Sequence, residues 1–372
     1  MGARLTRAPA VAIVGAGILG AASAWHLARS GARVVLIEAD GPAAGATGSS
    51  FAWVNAVRKE PEAYHRLNAE GVAEYLSLVR ELGAASGYRG GGSFEWSDPA
   101  STVDRDELRA RVARLAGRGY PARFVPVDFA TALEPGLRIP AGAEVAFYEA
   151  DGWLDAPRLV TTLIDRAMGL GIRLVRARVR GARMAGPRVE ALATDGAEIP
   201  IDRVLFTAGP ATQSLLETLG ARIPVQRVPG VLAVTSPAPA PLQRVVHAPG
   251  IHLRPDASGG LLLGATDIDA FATEALPPGP PPPFVKPLLD RARGVFPPLQ
   301  NARLVAVRLG VRPMPGDGQT VAGRLTDLEN AWVVVTHSAV TMGPMLGRLI
   351  AREILGGAPA KILEPFRPAR FE

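Results

Sequence analysis

The run Gly15-Ala16-Gly17-Ile18-Leu19-Gly20 constrains this chain more than any other feature, because of what flanks it. Before it stands Val11-Ala12-Ile13-Val14, an apolar run with the pattern of a buried parallel strand. After it, small and apolar residues over 18–28 suit a helix, with Gly31 placed to end it. Arg33-Val34-Val35-Leu36-Ile37-Glu38 then reads as a second strand that ends in an acid. One complete βαβ unit therefore occupies the first forty residues. Gly15 permits the tight turn, Gly17 lets the backbone approach a pyrophosphate, and Gly20 lets the helix pack close to the strand. Phosphates are expected on the helix N-terminus, where free N–H groups and the dipole favour anions. Glu38 is placed to accept hydrogen bonds from ribose hydroxyls. The pattern predicts a dinucleotide site that includes Gly15, Gly17, Ile18, Leu19, Gly20, Glu38 and Ala39.

At 372 residues the chain is long for one core and comfortable for two domains. The segment 61–82 has Tyr64, Leu67, Val72, Tyr75, Val79 and Leu82 close to helical spacing, with Pro61 suited to the first turn. A second helix is expected over 105–116. A strand-rich section runs from 225 to 269, with alternation in Ile251-His252-Leu253-Arg254. The prolines of 277–283 exclude helix and central strand and read as a stiff surface loop. Two further strands of the nucleotide domain stand far from the N-terminus. Val204-Leu205-Phe206 runs into Thr207-Ala208-Gly209, and Trp332-Val333-Val334-Val335 runs through a loop into a helix over 343–355. The expected class is α/β: a discontinuous Rossmann-type domain (1–88, 150–222 and 307–372) plus an α+β substrate domain with a mostly antiparallel sheet (89–149 and 223–306).

Composition removes several alternatives. With no cysteine there is no disulfide, Cys-ligated metal or thiol nucleophile. No H-x-x-x-H pair or P-loop is present, so no metal site is expected. The formal charge of +6 comes from arginines spread among acids, not from a basic stripe, which argues against nucleic acid as a partner. Arg4 and Arg7 precede an apolar stretch over 11–25, but that stretch holds the glycine fingerprint and continues as a strand. No run approaches membrane-span length, and a cytoplasmic location is expected.

The βαβ unit alone does not separate FAD from NAD. Further motifs do. Ala46-Thr47-Gly48-Ser49-Ser50, Asp151-Gly152-Trp153-Leu154-Asp155-Ala156-Pro157, Thr207-Ala208-Gly209-Pro210, Leu261-Leu262-Leu263-Gly264-Ala265-Thr266 and Gly310-Val311-Arg312-Pro313 follow one another along the chain, with Asp317-Gly318 and Gly323 behind the last. In this order they resemble the D-amino-acid oxidase superfamily of FAD-dependent oxidoreductases, in particular the branch of glycine oxidase, sarcosine oxidase and D-amino-acid dehydrogenase. The resemblance implies non-covalent FAD and extends the cofactor site to Thr47, Gly48, Ser49, Ser50, Val179, Ala208, Gly209, Arg312, Ser338, Val340, Thr341 and Met342.

It also implies a reaction: oxidation of the C–N bond of a small amine or amino acid by hydride transfer to flavin N5, giving an imine that hydrolyses. Arg312 would hold a substrate carboxylate, since a guanidinium fork matches that group bidentately; tied to an internal acid instead, it would only support its loop. His252 either reads the substrate or is a half-exposed strand histidine, and His337 either serves as a base or packs in a turn. The loop 338–343 is expected against the flavin's pyrimidine edge, with backbone donors supporting negative charge there. Trp53 and Asn55 would line the pocket. Leu262 occupies the place of the lysine that promotes oxygen reactivity in sarcosine oxidases, which leaves O2, a quinone or a redox partner as electron acceptor. An FAD-carrying subunit of a multi-subunit amine or opine-type dehydrogenase and a flavin-dependent tRNA-modifying enzyme are the alternatives, and homo- or hetero-oligomers fit either.

Overall fold

The computed structural model describes residues 9–276 and 279–372. Arg4, Arg7, Pro277 and Pro278 lie outside them, so only the later part of the proline-rich loop can be placed. Strand β1 (Ala10–Val14), helix α1 (Ile18–Arg29) and strand β2 (Arg33–Glu38) form where the fingerprint predicts. Val11, Ala12 and Ile13 are all inaccessible, as a strand covered on both faces requires. β1 lies between Arg203–Phe206 and β2 in a six-stranded sheet, with Ala12 opposite both Val204 and Val35. Arg173–Arg176 extends this sheet beyond β2, and Ala331–Val335 extends it beyond Arg203–Phe206. These pairings are parallel; the edge strand Val321–Arg324 is antiparallel. Helices Ala156–Gly169 and Ala339–Ile354 pack with α1 on one face. Gly347 allows a close approach: a Cβ there would stand 2.6 Å from Ala22 Cβ.

A second sheet of eight strands takes its members from 93–148 and 225–315. Its pairings are antiparallel except that of Ser93–Trp96 with Val245–Ala248. Helix Lys286–Val295 buries Leu288, Leu289 and Ala292 in its core. The strand Leu304–Pro315 pairs along its length with Val225–Thr235 and so runs across the boundary expected at 307. Nothing at 307 interrupts the ladder, and Arg312 therefore stands on the second sheet, opposite Val228.

The helices expected at 61–82 and 105–116 form as Glu62–Leu82 and Thr102–Gly117, the latter with Ser101 Oγ accepting from the Asp104 N–H at 3.1 Å. The last helix corrects the sequence reading: it begins at Ala339, not near 343. Pro344 lies inside it, and the proline's missing N–H would strand the carbonyl of Val340 four residues earlier. The buried Tyr75 hydroxyl donates to that carbonyl instead, and the helix tolerates the proline. The expected loop 338–343 is thus mostly the helix's first turn.

Candidate functional site

Backbone requirements build the first half of the site. Gly15 has φ of +103°, and a Cβ on it would lie 2.5 Å from Thr207 O; one on Gly20 would lie 1.9 Å from Gly15 O. Neither position admits a side chain. Gly17 differs: its Cβ would meet only Thr47 Oγ1, at 3.1 Å, and otherwise face open space. That space is a cavity of about 560 Å³ lined by Gly15, Gly17, Ile18 and Leu19, by Glu38 and Ala39, and by Val179, Ala208 and Gly209 across it. The first turn of α1 points into it, a disposition suited to a pyrophosphate. Glu38 uses both oxygens locally, Oε2 accepting from the Ala16 N–H at 2.7 Å and Oε1 from the Asp40 N–H at 2.9 Å. It braces the glycine turn and lines the cavity at the same time.

A second cavity of about 450 Å³ adjoins the first, and Ala46, Thr47, Pro313, Thr336 and Ala339 border both. Ser49, Ser50, His252, Arg312, His337, Ser338, Val340 and Thr341 all line it. Two expected residues do not. Gly48 borders a smaller neighbouring cavity beside Trp153 and Arg254. Met342 is fully buried in the hydrophobic core, its N–H already bonded to Ser338 O at 3.1 Å.

Arg312 is half-buried and engaged on several sides. Its Nη1 is 2.9 Å from Asp269 Oδ2, and its Nη2 donates to Pro229 O at 2.8 Å. Asp269 in turn accepts from the Val231 N–H through Oδ1 at 2.9 Å. The guanidinium lies along Gly230, where a Cβ would stand 2.9 Å from Arg312 Cζ. The tie to an internal acid is therefore present, and the group also forms part of the cavity wall.

His252 packs edge-on against Phe51, ring centroids 4.6 Å apart, and parallel to His247 at 5.6 Å. Burial, with the charges of Arg58 and Arg312, pushes His252 down to about 4. His337 is exposed where it lines the cavity, and partial desolvation there, with the charges of Lys59 and Arg312, pushes it down to about 4 as well. Both rings are neutral near pH 7. A base so weak is poorly matched to taking a proton from an ammonium, and the histidines shape the cavity and present neutral donors or acceptors.

Ser338 stands at the N-cap position of the last helix, and Ala339, Val340 and Thr341 turn the positive end of that helix toward the cavity. Trp53 and Asn55 line it too. Asn55 is committed locally, donating to Trp53 O at 3.1 Å and accepting from the Val57 N–H at 3.0 Å. Leu262 is fully buried with Leu232 and Val234, beside Phe51. Sequence reasoning missed Arg58, Lys59, His247 and Asp269, all of which line the cavity. The one available signal was scarcity: Lys59 is among only three lysines, next to an arginine shortly after the Ala46-Thr47-Gly48-Ser49-Ser50 motif. Among the described residues no cluster of His, Asp and Glu could hold a metal, and no helix is long and apolar enough to cross a membrane.

A Rossmann-type nucleotide cavity that adjoins a second, cation-lined cavity fits a dinucleotide-dependent oxidoreductase. The model of the FAD dependent oxidoreductase family (DAO) matches residues 10–353, and the chain belongs to that family, the D-amino-acid oxidase superfamily. It is 27% identical over 370 residues to glycine oxidase of Pseudomonas aeruginosa, covering 96% of this chain and 98% of that one. It is 23% identical over 376 residues to an opine oxidase subunit of Agrobacterium tumefaciens, covering 96% of each. Among solved structures, glycine oxidase of Geobacillus kaustophilus superposes with a TM-score of 0.86 at 26% identity, covering 97% of this chain and 99% of that one. Iminodiacetate oxidase of Chelativorans superposes with a TM-score of 0.83, also at 26% identity, covering 96% and 98%. The protein is an FAD-dependent amine or amino-acid oxidoreductase.

Proposed function

We propose that the enzyme oxidises the C–N bond of a small amino acid whose carboxylate is held by Arg312. One observation carries this reading: the Arg312 guanidinium and the N-terminus of the Ala339–Ile354 helix line the same 450 Å³ cavity, which shares a wall with the nucleotide cavity. Bound FAD supplies the two-electron acceptor. The residues that fit it are the first turn of α1 for the pyrophosphate, Glu38 and Ala39 beside the ribose, and Ser338 to Thr341 at the isoalloxazine ring. Arg312 offers a planar fork to one carboxylate and so fixes the substrate's α-carbon. Phe51, Val231, Leu232 and Val340 supply the apolar surface that excludes water. The neutral His252 and His337 rings add no charge to compete with the developing cation on nitrogen. The positive helix end stabilises negative charge that arises opposite it.

An anaerobic screen of amines and of D- and L-amino acids, followed by loss of the visible flavin band, tests the reading. Bleaching by at least one α-amino acid, weakened in Arg312→Ala, is expected; a flavin that no amine or amino acid bleaches sinks it. A second reading, an FAD-carrying component of a larger dehydrogenase, draws on the likeness to the opine oxidase polypeptide. It predicts bleaching without oxygen consumption until a partner or an artificial acceptor is added.

A further inference from the structure

Three cationic side chains line the second cavity, and two of them are already paired. Arg58 is joined to Glu95 at 2.5 Å, a carboxylate that also holds Arg111 at 2.6 Å. Arg312 is joined to Asp269. Lys59 has no ion pair among the described residues; its ammonium donates to Ser338 Oγ at 3.0 Å, and that hydroxyl also accepts from the Tyr64 hydroxyl at 3.1 Å. An ammonium carries three donors, so Lys59 keeps others for a ligand. Burial, with no carboxylate to offset it, pushes it down to about 8.

The rest of the wall does not supply the missing anion. Asp269 is the one carboxylate among the described lining residues, and its oxygens are spent on Arg312 and the Val231 N–H. Burial holds His247 and His252 neutral, and partial desolvation with the nearby charges of Lys59 and Arg312 does the same for His337. A pyrophosphate would lie at the first turn of α1, in the other cavity. The isoalloxazine ring placed at Ser338 is neutral when oxidised, so one substrate carboxylate at Arg312 still leaves the Lys59 charge unanswered. Lys59 and Arg312 line the same cavity of about 450 Å³, which sets the two cations around the space for one small molecule.

We propose that Lys59 is a second anion anchor, and that the substrate is an amine or amino acid bearing two carboxylates, one on Arg312 and the other on Lys59. This rests on the amino-acid-oxidising reading above and narrows its substrate class.

The test uses inert ligands, so it does not depend on turnover. The FAD-loaded full chain is titrated with succinate and glutarate, and with butyrate and pentanoate as monocarboxylates of matching length. Binding is read as perturbation of the visible flavin band and by calorimetry. A dicarboxylate is expected to bind about tenfold tighter than its monocarboxylate partner, the scale of one added charge-assisted hydrogen bond. Lys59→Met should bring that ratio close to one, and Lys59→Arg should restore most of it. Equal affinities in the wild type, no binding by any of the acids, or an unchanged ratio in Lys59→Met overturns the proposal. The wild-type ratio decides alone if the Met variant does not fold. A ratio that collapses in Lys59→Met, in a protein that no amine bleaches, would keep the two-carboxylate site and remove amine oxidation. Bleaching by monocarboxylic amino acids alone, with equal affinities, would do the reverse.

Discussion

Arg312 Nη1 stands 2.9 Å from Asp269 Oδ2, so the guanidinium offered to a substrate is held by an acid of the protein itself. A ligand carboxylate must share or displace that partner. Asp269→Asn removes the competing charge while keeping an amide oxygen for the Val231 N–H. The expected result is severalfold tighter binding of butyrate, measured by flavin perturbation; weaker binding would mean that Asp269 serves by aiming the fork. Arg312→Ala should weaken the same ligand about a hundredfold, as loss of a bidentate charged contact implies.

Two of the fingerprint glycines should fail in different ways. In Gly20→Ala the new methyl would fall 1.9 Å from Gly15 O, so the βαβ unit must distort and thermal stability should drop sharply. In Gly17→Ala it meets only Thr47 Oγ1 at 3.1 Å and projects into the cavity. The apoprotein should melt within a few degrees of wild type yet bind FAD at least tenfold more weakly. Equal FAD affinity in that variant would place the pyrophosphate elsewhere.

Asp151 gives a pH dependence of definite sign. It is fully buried and accepts hydrogen bonds from Trp53 Nε1 at 2.9 Å, from Ser93 Oγ at 2.7 Å and from the Tyr120 hydroxyl. Burial outweighs those donors and pushes its carboxyl up to about 7. The unfolded chain gives up the same proton near pH 4, so unfolding releases a proton between those values and rising pH favours it. The stability of wild type relative to Asp151→Asn should therefore fall as pH climbs from about 4 to about 7, by at most about 4 kcal/mol, and then level off. Denaturant midpoints at half-unit pH steps would show it. A gap independent of pH would mean that Asp151 stays ionised throughout.

Tyr75→Phe should destabilise the chain by about 1 to 3 kcal/mol, because the Val340 carbonyl loses its donor beneath Pro344. Pro344→Ala in the same background should recover part of that loss by restoring an N–H. If the double variant is no more stable than Tyr75→Phe, the tyrosine acts through packing alone.

Local backbone demands were the readable part of this chain. Gly15, through its positive φ, and Gly20, through its approach to Gly15 O, announce the βαβ unit by local demands that a sequence displays without knowledge of any distant contact. Arg312 was readable from its motif, but its tie to Asp269 was not, since that acid comes from a short helix, Thr266–Asp269, that carries no motif of its own. Lys59 meets Ser338 across 279 residues of chain, and no periodicity reports such a meeting. The start of the last helix was misplaced for the same reason, because the hydroxyl that makes Pro344 tolerable belongs to Tyr75.

Pro313 borders both cavities, and Arg312 is its immediate neighbour on a paired strand. Occupants of the two cavities thus touch adjacent residues of one strand, a route by which they can be coupled. Thermodynamic linkage makes such coupling reciprocal: an acid that tightens the grip on FAD must itself be gripped more tightly once FAD is in place. The flavin's colour is then a built-in gauge of what lies beside its ring.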